Sequence, residues 1–400
     1  MDLKSLLLSK AGVARIRSHQ HELKQSDVEE SLRSLTPGEW CWLQHSTLNQ
    51  LYLSFVNPLV DDKQVSIHVL FAGSIFDKKE FTPQQYIRHH LIKAINQRHK
   101  FKNYSEGSRL VYGSADHLPG LIVDKFHNTI IVQINTAGLD RYREDIKRII
   151  QEVTQSETYF LDQIKYREKE FLPVFDNPSL PDIKIQENGL SFELRSEVMQ
   201  KIGFYYDHRE NRAQLLRILA DLNHNFGTGV DLFSYVGAWG MSALKAGIPQ
   251  VTFVDQGDFD VEITQGLIRN EFNQRGKFIR SDVFKFLDEA ISRSLKFDVV
   301  LCDPPAFAKS LQQKDQALDG YSKLHRKVFK ISSAGSLVAF SSCTHYVSHD
   351  EFQKNILDAA YKENKTIQLL YTGIQGWDHP VKSQLEKTNY IKSYFYLVES

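Results

Sequence analysis

The sequence predicts an α/β protein whose C-terminal half contains a parallel β-sheet. Five apolar runs of strand length occur between residues 229 and 340, and helix-length segments separate them. Near-continuous apolar strands that alternate with helices are typical of a parallel sheet buried on both faces. The pattern of apolar and polar residues changes just before this region, at the Pro-rich stretch Phe175–Pro181. We interpret this stretch as a linker.

The length of the chain limits its domain organisation, whereas its overall charge limits its function only weakly. The chain has 400 residues, which suggests two or three domains and is ample to bury a core. Lys plus Arg and Asp plus Glu each number 49, so no overall positive field attracts nucleic acid. A local basic patch on a neutral protein is still compatible with RNA binding.

Several classes of protein are disfavoured by simple features. No run of about 18 apolar residues predicts a transmembrane helix, and the apolar start is too short for a signal peptide. Cys41, Cys302 and Cys343 are too few and too scattered for a disulfide framework or a zinc site. We therefore expect a cytoplasmic protein with no membrane partner and no metal.

The first 178 residues predict two smaller modules. Residues 1–72 contain short alternating runs bounded by Pro, Gly and Asn, which indicate a β-rich module. Residues 73–178 predict a helix from Pro83 to Lys100 that Thr82 caps, then strands and a second helix from about Arg141 to Thr154, an α+β arrangement. The predicted strands are Trp40–Trp42, Leu51–Val56 and Val65–Leu70 in the first module, and Ser108–Tyr112, Leu121–Asp124 and Thr129–Ile134 in the second.

Residues 179–400 form the predicted parallel-sheet domain. Two further runs near the C-terminus are expected to end the sheet, one of them antiparallel. The predicted strands are Gly229–Phe233, Val251–Asp255, Lys277–Arg280, Phe297–Cys302, Gly335–Phe340, Ile367–Tyr371 and Tyr390–Val398.

The segments that follow the first three strands predict a cofactor crevice, because ligands of such sheets bind beyond the carboxyl ends of the strands. The glycine of Asp231–Gly237 lets the backbone approach a ligand. Asp255 ends the second strand, where a carboxylate accepts both ribose hydroxyls of an adenosine. Asp282 follows the third strand and is a candidate partner for the adenine amino group. The alternative is a glycine turn in a generic α/β fold.

The identity of the cofactor follows from charge. The Gly-x-Gly-x-x-Gly fingerprint that cradles a pyrophosphate is absent. S-adenosyl-L-methionine has no phosphate and carries a cationic sulfonium and an amino group, so a crevice rich in Asp suits it better than NAD. We expect Phe233, Ser234 and Gly237 to line this cofactor together with the acids.

The fourth strand leads directly into Asp303-Pro-Pro-Ala-Phe307. Two prolines fix the backbone and hold Asp303 at the strand tip beside the sulfonium, with Pro304 against the cofactor and Phe307 towards the substrate. A related Asn/Asp-Pro-Pro-Tyr/Phe tetrapeptide occurs in enzymes that methylate exocyclic amines. Ala306 stands at its fourth position here, which argues against amine chemistry.

The fifth strand ends next to Cys343, which is therefore expected beside the Asp303 loop. C5 of a pyrimidine is a poor nucleophile, and attack of a thiolate at C6 makes C5 able to accept a methyl group. Cys343 is thus a candidate nucleophile, and Asp303 a candidate acid that steadies the adduct. The alternative is a buried, inert cysteine. We expect Cys302 and Cys41 to be core residues of this second kind.

These motifs resemble the RlmI-like class I methyltransferases, which are typified by a bacterial cytosine-C5 methyltransferase of large-subunit ribosomal RNA. The resemblance covers roughly residues 73–400 and is most specific over Gln200–Arg212. The other segments, in the family's order, are Gly113–Asp124, Asp231–Tyr235, Asp303–Phe307, Ser342–Cys343 and Asp378–Val381.

The resemblance implies an N-terminal PUA domain, a central α+β domain and a Rossmann-like methyltransferase domain. It implies Cys343 as nucleophile, and a cofactor lined by Asp231, Asp255, Asp282 and Asp303. Three cations would lie near the site, facing the methionine carboxylate or RNA phosphates, unless they belong to a solvated charged face: Lys201, Arg209 and Arg212. The partners it implies are RNA, in particular ribosomal RNA; a homodimer is a further expectation.

Three functions follow from these observations. The first is formation of 5-methylcytosine in ribosomal RNA through a cysteine adduct. The second is methylation of a guanine or an exocyclic amine of RNA, with Cys343 incidental. The third is a relative that binds RNA or the cofactor without catalysis, against which Asp303 and Cys343 together speak.

Overall fold

The computed structural model describes residues 3–48, 51–61, 63–70, 82–104, 106–162, 164–175, 178–198, 203–382, 385 and 388–399. The chain divides into two compact units, one of residues 1–181 with 378–388 and one of residues 182–377 with 389–400. In the described part of the chain, no helix is both long enough and apolar enough to cross a lipid bilayer.

The first unit begins with a five-stranded sheet, as the alternating runs predict. Its order is β1-β3-β4-β5-β2, and all pairs are antiparallel except β1 with β3. Helix α1 (Lys10–Arg17), which Ser9 caps, is an element that the sequence analysis did not predict. The strands are β1 (Lys4–Leu7), β2 (Glu22–Leu23), β3 (Glu39–Gln44), β4 (Tyr52–Val56) and β5 (Ile67–Leu70).

A four-stranded sheet with helices follows in the same unit. The predicted helix α2 starts with Thr82 as part of a capping box, as expected. Trp40, Phe55 and Leu91 belong to one buried cluster, so both sheets share a core. The elements are α2 (Pro83–Arg98), β6 (Gly107–Tyr112), β7 (Leu121–Phe126), β8 (Thr129–Ile134), α3 (Ala137–Asp140), α4 (Arg143–Thr154), β9 (Glu157–Phe160) and α5 (Ile164–Lys169).

The segment 378–388 belongs to the first unit although the rest of the C-terminal region belongs to the second. Its anchor is Asp378, whose carboxylate accepts a hydrogen bond from the backbone N–H of Arg109 at 2.9 Å. The backbone carbonyl of Asp378 accepts one from Arg98 at 2.9 Å. The family-like Asp378–Val381 segment therefore packs against the central α+β part of the chain.

The second unit opens with a hairpin and continues into a seven-stranded sheet of order β14-β13-β12-β15-β16-β18-β17. The elements before the sheet are β10 (Ile183–Glu187), β11 (Leu190–Leu194) and α6 (Arg209–Asp221). The sheet strands are β12 (Thr228–Leu232), β13 (Gln250–Asp255), β14 (Gly276–Arg280), β15 (Phe297–Cys302), β16 (Ser332–Ser342), β17 (Ile367–Gly373) and β18 (Lys392–Val398), with α7 (Ala238–Lys245), α8 (Asp260–Arg269), α9 (Val283–Ser292), α10 (Lys314–Ile331) and α11 (His349–Lys362) between them.

The sheet is doubly wound, which confirms the predicted fold class. Strands β12 to β16 are parallel, and β18 alone runs against the others, as expected for one of the two last strands. The order reverses between β12 and β15, so their carboxyl ends flank a switch point where such sheets bind ligands. Buried residues of α9, α10 and α11 cover one face of the sheet.

Candidate active site

The carboxyl edge of the seven-stranded sheet brings together the acids that the sequence places after each strand. Parallel pairing of β12 with β13 and β15 sets Asp231 opposite Phe253 and Leu301. Asp255 ends β13, and Asp303 directly follows β15. The acids interact electrostatically, because the charges of Asp303 and Asp255 both raise the pKa of the buried Asp231.

The loop after β12 has a strained backbone that shapes this edge. Phe233, Tyr235 and Gly237 have φ angles of 61°, 48° and 81°, in the left-handed region that favours glycine. A Cβ at Gly237 would meet the ring of Phe253 at 2.9 Å, so only glycine fits without a shift. Strain of this kind is characteristic of functional loops, and it keeps the backbone close to the crevice.

Asp231 has the chemistry of a receptor for a cation. Its side chain is 1% exposed, and Oδ2 accepts a hydrogen bond from the Gly240 N–H at 2.8 Å. Oδ1 has no hydrogen-bond partner among the described residues. Burial raises the pKa of Asp231 to about 8, and the neighbouring Asp303 and Asp255 add to this. A buried carboxyl with an unused oxygen is expected to be satisfied by a ligand.

Two further acids have the geometry expected for an adenosine. Asp255 is half-buried and accepts hydrogen bonds from the N–H groups of Gly257 (2.8 Å) and Tyr235 (3.0 Å), which fix its carboxylate. Asp282 is exposed and caps α9 by accepting from the Lys285 N–H at 3.0 Å. Ser234 is buried, and its hydroxyl has no partner in the described part of the chain. Together with Asp231, these groups fit S-adenosylmethionine.

Asp303 is held on two sides by residues that the sequence analysis did not select. The indole N–H of Trp239 donates a hydrogen bond to Oδ2 at 3.0 Å, and Nε2 of His208 lies 3.5 Å from Oδ1. The carboxylate is 23% exposed, so one side stays open to a substrate. Pro304, next in the chain, is buried.

The orientation of His208 follows from its own contacts. The amide nitrogen Nδ2 of Asn211 lies 3.1 Å from Nδ1 of His208. The amide itself is oriented by two further hydrogen bonds, because Nδ2 donates to the carbonyl of Ile374 and Oδ1 accepts from the Tyr371 hydroxyl. An amide N–H facing Nδ1 makes that nitrogen the acceptor, so we assign the ring proton to Nε2, which faces Asp303. His208 and Asn211 stand in the Gln200–Arg212 block, and their spacing of three residues was the available signal.

Cys343 lies directly after β16 and is half-buried. Its loop is tied to the Asp303 loop, because the Thr344 hydroxyl donates to the carbonyl of Ala308 at 3.0 Å. The preceding residue, Ser342, exchanges a hydrogen bond of 2.9 Å with the hydroxyl of Tyr321. Cys343 is therefore at the same sheet edge as Asp303 and outside the buried core.

The other two cysteines are core residues, as predicted. Cys41 is 0% and Cys302 is 2% exposed, and burial raises the pKa of both thiols, that of Cys41 to about 12. Thiols of this kind are inert because the thiolate is the reactive form.

The structure places two of the expected cationic contacts inside the protein, and their role towards a ligand stays a prediction. Arg209 and Arg212 are both 2% exposed and pair with the buried carboxylate of Glu187, Arg212 at 2.5 and 2.9 Å. They are neither a solvated face nor surface cations, and they share the single carboxylate of Glu187, which offsets one of their two positive charges. Arg212 lowers the pKa of Asp231, so its positive charge favours the ionised form of this crevice carboxylate.

The two remaining expected substrate contacts have different outcomes. Phe307 stacks on Tyr321 with ring centres 4.6 Å apart, which anchors it to α10. Lys201 lies outside the described residues. A role of either residue towards the substrate stays a prediction.

Solved structures of candidate methyltransferases have the same architecture as this chain. One of them is a candidate methyltransferase solved in complex with S-adenosylhomocysteine, which is 18% identical to this chain and superimposes with a TM-score of 0.78. The alignment covers 99% of this chain and 100% of that protein. A candidate SAM-dependent methyltransferase from Streptococcus mutans gives a TM-score of 0.77 at 18% identity, with the same coverage. The fold and the acid-lined crevice define a class I S-adenosylmethionine-dependent methyltransferase.

Curated relatives narrow the class to a family. The ribosomal RNA large subunit methyltransferase I of Serratia proteamaculans is 30% identical over 300 residues, which are 72% of this chain and 74% of that protein. Those of Vibrio vulnificus and Yersinia pseudotuberculosis are each 31% identical with the same coverage. No family model matches the sequence. The chain belongs to the ribosomal RNA large subunit methyltransferase I family.

Binding of S-adenosylhomocysteine is expected to release a proton from Asp231. The pKa of this carboxyl is raised from 3.8 to about 8, so the folded, ligand-free protein holds the proton between these two values. The ligand's ammonium favours the ionised carboxylate, so affinity should rise as the pH rises through this window towards 8. Calorimetry in buffers of different ionisation enthalpy measures the released proton.

The variant Asp231→Asn tests the assignment. It should remove the pH dependence and weaken binding by about 1–3 kcal/mol, since the ammonium loses a charged acceptor. Asp258→Asn is the matched control, because its carboxylate is 72% exposed near the same edge. An unchanged pH dependence in Asp231→Asn would show that another group holds the ligand's ammonium.

Proposed function

We propose that this protein forms 5-methylcytosine in ribosomal RNA through a covalent adduct on Cys343. The observation that carries the proposal is the position of Cys343, half-buried in a loop tied to the Asp303 loop at the carboxyl edge of the sheet. The relatives are large-subunit ribosomal RNA methyltransferases by name, which supports ribosomal RNA of the large subunit as the substrate. Such a substrate accords with the cytoplasmic location that we expect.

The cofactor, when bound, supplies a methyl group on a sulfonium and leaves as S-adenosylhomocysteine. The thiolate of Cys343 adds to C6 of the base, which forms the S–C6 bond and moves the C5=C6 electron pair to C5. C5 then takes the methyl group, and the pair of the broken methyl–sulfur bond stays on sulfur. Loss of the C5 proton to a base re-forms C5=C6 and expels Cys343 as a thiolate.

Asp303 has the complementary role in this scheme. Its hydrogen bond from Trp239 and its contact with His208 fix the carboxyl group, and its exposed side can hydrogen-bond the edge of the base. A fixed group costs no reorganisation when charge develops on the base during attack. Asp231, Asp255 and Asp282 would hold the cofactor, and Pro304 would lie against it.

A nucleoside analysis tests the proposal. Ribosomal RNA from cells that lack the protein is incubated with the enzyme and an isotopically labelled methyl donor, then digested and analysed by mass spectrometry. We expect the label in 5-methylcytidine of the large-subunit RNA, and much less incorporation into RNA from normal cells, where the site is already modified. Label in a methylguanosine or an N4-methylcytidine would overturn the cytosine-C5 proposal.

Oligomeric state is a separate question. The homodimer remains a proposal, and sedimentation of the purified chain at micromolar concentration decides it.

A further inference from the structure

Lys392 is a buried lysine for which the methyl-transfer scheme has no role. Its side chain is 2% exposed, at the start of β18. Within the described part of the chain it forms no ion pair with a carboxylate; instead its ammonium donates to the backbone carbonyls of Thr344 and, at 3.0 Å, Val347. Burying a charge without a countercharge is costly, so this position calls for a compensating role.

The two acceptors of Lys392 lie in the loop that carries Cys343, one and four residues after the cysteine. Strand β18 pairs with β16 so that Lys392 lies opposite Ser342, the residue before the cysteine. The ammonium donates to the carbonyls of residues 344 and 347, after the cysteine. Lys392 therefore contacts the chain just before Cys343 through its backbone and just after it through its ammonium.

The electrostatics agree with this placement. Burial lowers the pKa of Lys392 to about 8, and the charge of Cys343 acts in the opposite direction. A lysine with this pKa is still mostly charged at neutral pH. The thiol and the ammonium thus favour each other's charged forms.

Two other titratable groups near this pair, Tyr321 and His349, do not supply this charge. Tyr321 on α10 also interacts with Cys343, but burial raises the pKa of its hydroxyl, which stays neutral. His349 on α11 interacts with Lys392, and burial followed by the lysine's own charge lowers the pKa of its imidazole. Lys392 thus supplies a positive charge that neither Tyr321 nor His349 provides.

We propose that Lys392 holds the Cys343–Val347 loop in place and stabilises the thiolate of Cys343 by its charge. It acts through the cysteine and so is a positioning residue. The inference rests on the proposed role of Cys343 as nucleophile. A cation beside a cysteine is a known means of keeping the thiolate populated near neutral pH.

The test is the pH dependence of Cys343 alkylation by iodoacetamide, which reacts with thiolates and needs neither RNA nor methyl donor. Cys41 and Cys302 are buried, so the native protein should react at Cys343, as peptide mapping can verify. In the wild-type protein we expect the rate to reach half its maximum clearly below pH 8.5, the ordinary value for a cysteine. A midpoint at 8.5 or above overturns the proposal without any variant.

Variants then assign the effect to the lysine. Lys392→Met should move the midpoint to higher pH and slow alkylation at pH 7 by about tenfold, because the thiolate loses its cation. Lys392→Arg keeps the charge and should retain most of the low midpoint. Lys362→Met, at an exposed position on α11, is the matched control and should behave as wild type.

The outcomes separate this inference from the proposed function. If Lys392→Met binds S-adenosylhomocysteine normally yet alkylates as wild type does, the role of Lys392 is refuted. If Lys392→Met does not fold, the wild-type midpoint and the Lys392→Arg variant still decide. Failure of the nucleoside analysis, by contrast, would refute cytosine-C5 chemistry and leave the alkylation result standing.

Discussion

Replacement of Cys343 by alanine is expected to lower methyl transfer to ribosomal RNA by about ten-thousand-fold or more, since removal of a covalent nucleophile costs a rate factor of this order. The acids that fit the cofactor lie on other strands, so binding of S-adenosylhomocysteine should be unchanged. The loss is expected in kcat, because the adduct exists only after substrate binding. Single-turnover transfer of a labelled methyl group measures it.

A trapped adduct gives an independent readout of the same variant. When fluorine replaces the C5 hydrogen of the target cytidine, no proton can leave C5, so the methylated adduct stays bound to the thiol. Wild-type enzyme should form an RNA–protein complex that survives denaturation, whereas Cys343→Ala should form none. Cys302→Ala is the control: this cysteine is buried beside Asp303 in the chain and should keep the ability to form the complex. Full turnover by Cys343→Ala would end the adduct mechanism.

The fold was predictable to the extent that strands are apolar and helices are periodic. Phe297–Cys302 has the predicted bounds because it is a central strand whose residues, apart from Asp298, are apolar and buried. The hairpin β10–β11 was missed although its signal is present: Asn188-Gly189, with φ angles of 52° and 71°, joins two runs that alternate in hydrophobicity. Helix α1 was missed because it is only eight residues long and contains a glycine and two β-branched residues, and tertiary packing decides such short helices.

The grouping of the chain into two compact units was harder to predict from the sequence than its strands and helices. Residues of the first sheet and of α2 share a core, and the segment 378–388 belongs to the first unit. Both facts depend on contacts between residues far apart in sequence, such as Arg109 with Asp378. Local pattern carries no information about them. The division into domains 1–72, 73–178 and 179–400 stays a prediction.

The candidate site also contains some residues that the sequence could predict and others that it could not. Asp231, Asp255 and Asp303 could be selected because parallel strands present their last residues at one edge. Trp239 and His208, which hold Asp303, come from a helix and a short turn that only the folded chain brings to that carboxylate. Lys392 was counted as part of an apolar strand, and its burial next to the Cys343 loop follows from the antiparallel pairing of β18 with β16.

Charge alone was a poor guide to function at the arginines. Arg209 and Arg212 were expected to face an anionic ligand, but both are buried and share the carboxylate of Glu187 on β10. This partner lies 22 and 25 residues away in sequence, which no local rule predicts. The net neutrality of the chain is thus accompanied by pairing of cations inside the protein.

Replacement of Asp303 by asparagine is expected to lower kcat by about 10²–10⁴-fold, the range typical for loss of a group that transfers or stabilises a proton in the transition state. The amide is nearly the same size, and its oxygen can still accept the hydrogen bond from Trp239, while its NH2 group then faces Nε2 of His208. It cannot take up or deliver a proton at the edge of the base. Single-turnover methyl transfer and the rate of adduct formation with fluorinated RNA should fall together, because both follow attack on C6.

The cofactor crevice provides the control for this variant. The negative charge of Asp303 raises the pKa of Asp231, so Asp303→Asn should lower that pKa and reduce the proton release on binding of S-adenosylhomocysteine. Trp239→Phe keeps the ring and removes only the N–H that orients Asp303; we expect a smaller loss of kcat in the same step. Asp258→Asn should leave all three measurements unchanged. If Asp303→Asn retained wild-type kcat while the proton release fell, Asp303 would be a neighbour of the cofactor acids with no part in the attack on the base, and the chemistry at C6 would depend on Cys343 and its surroundings alone.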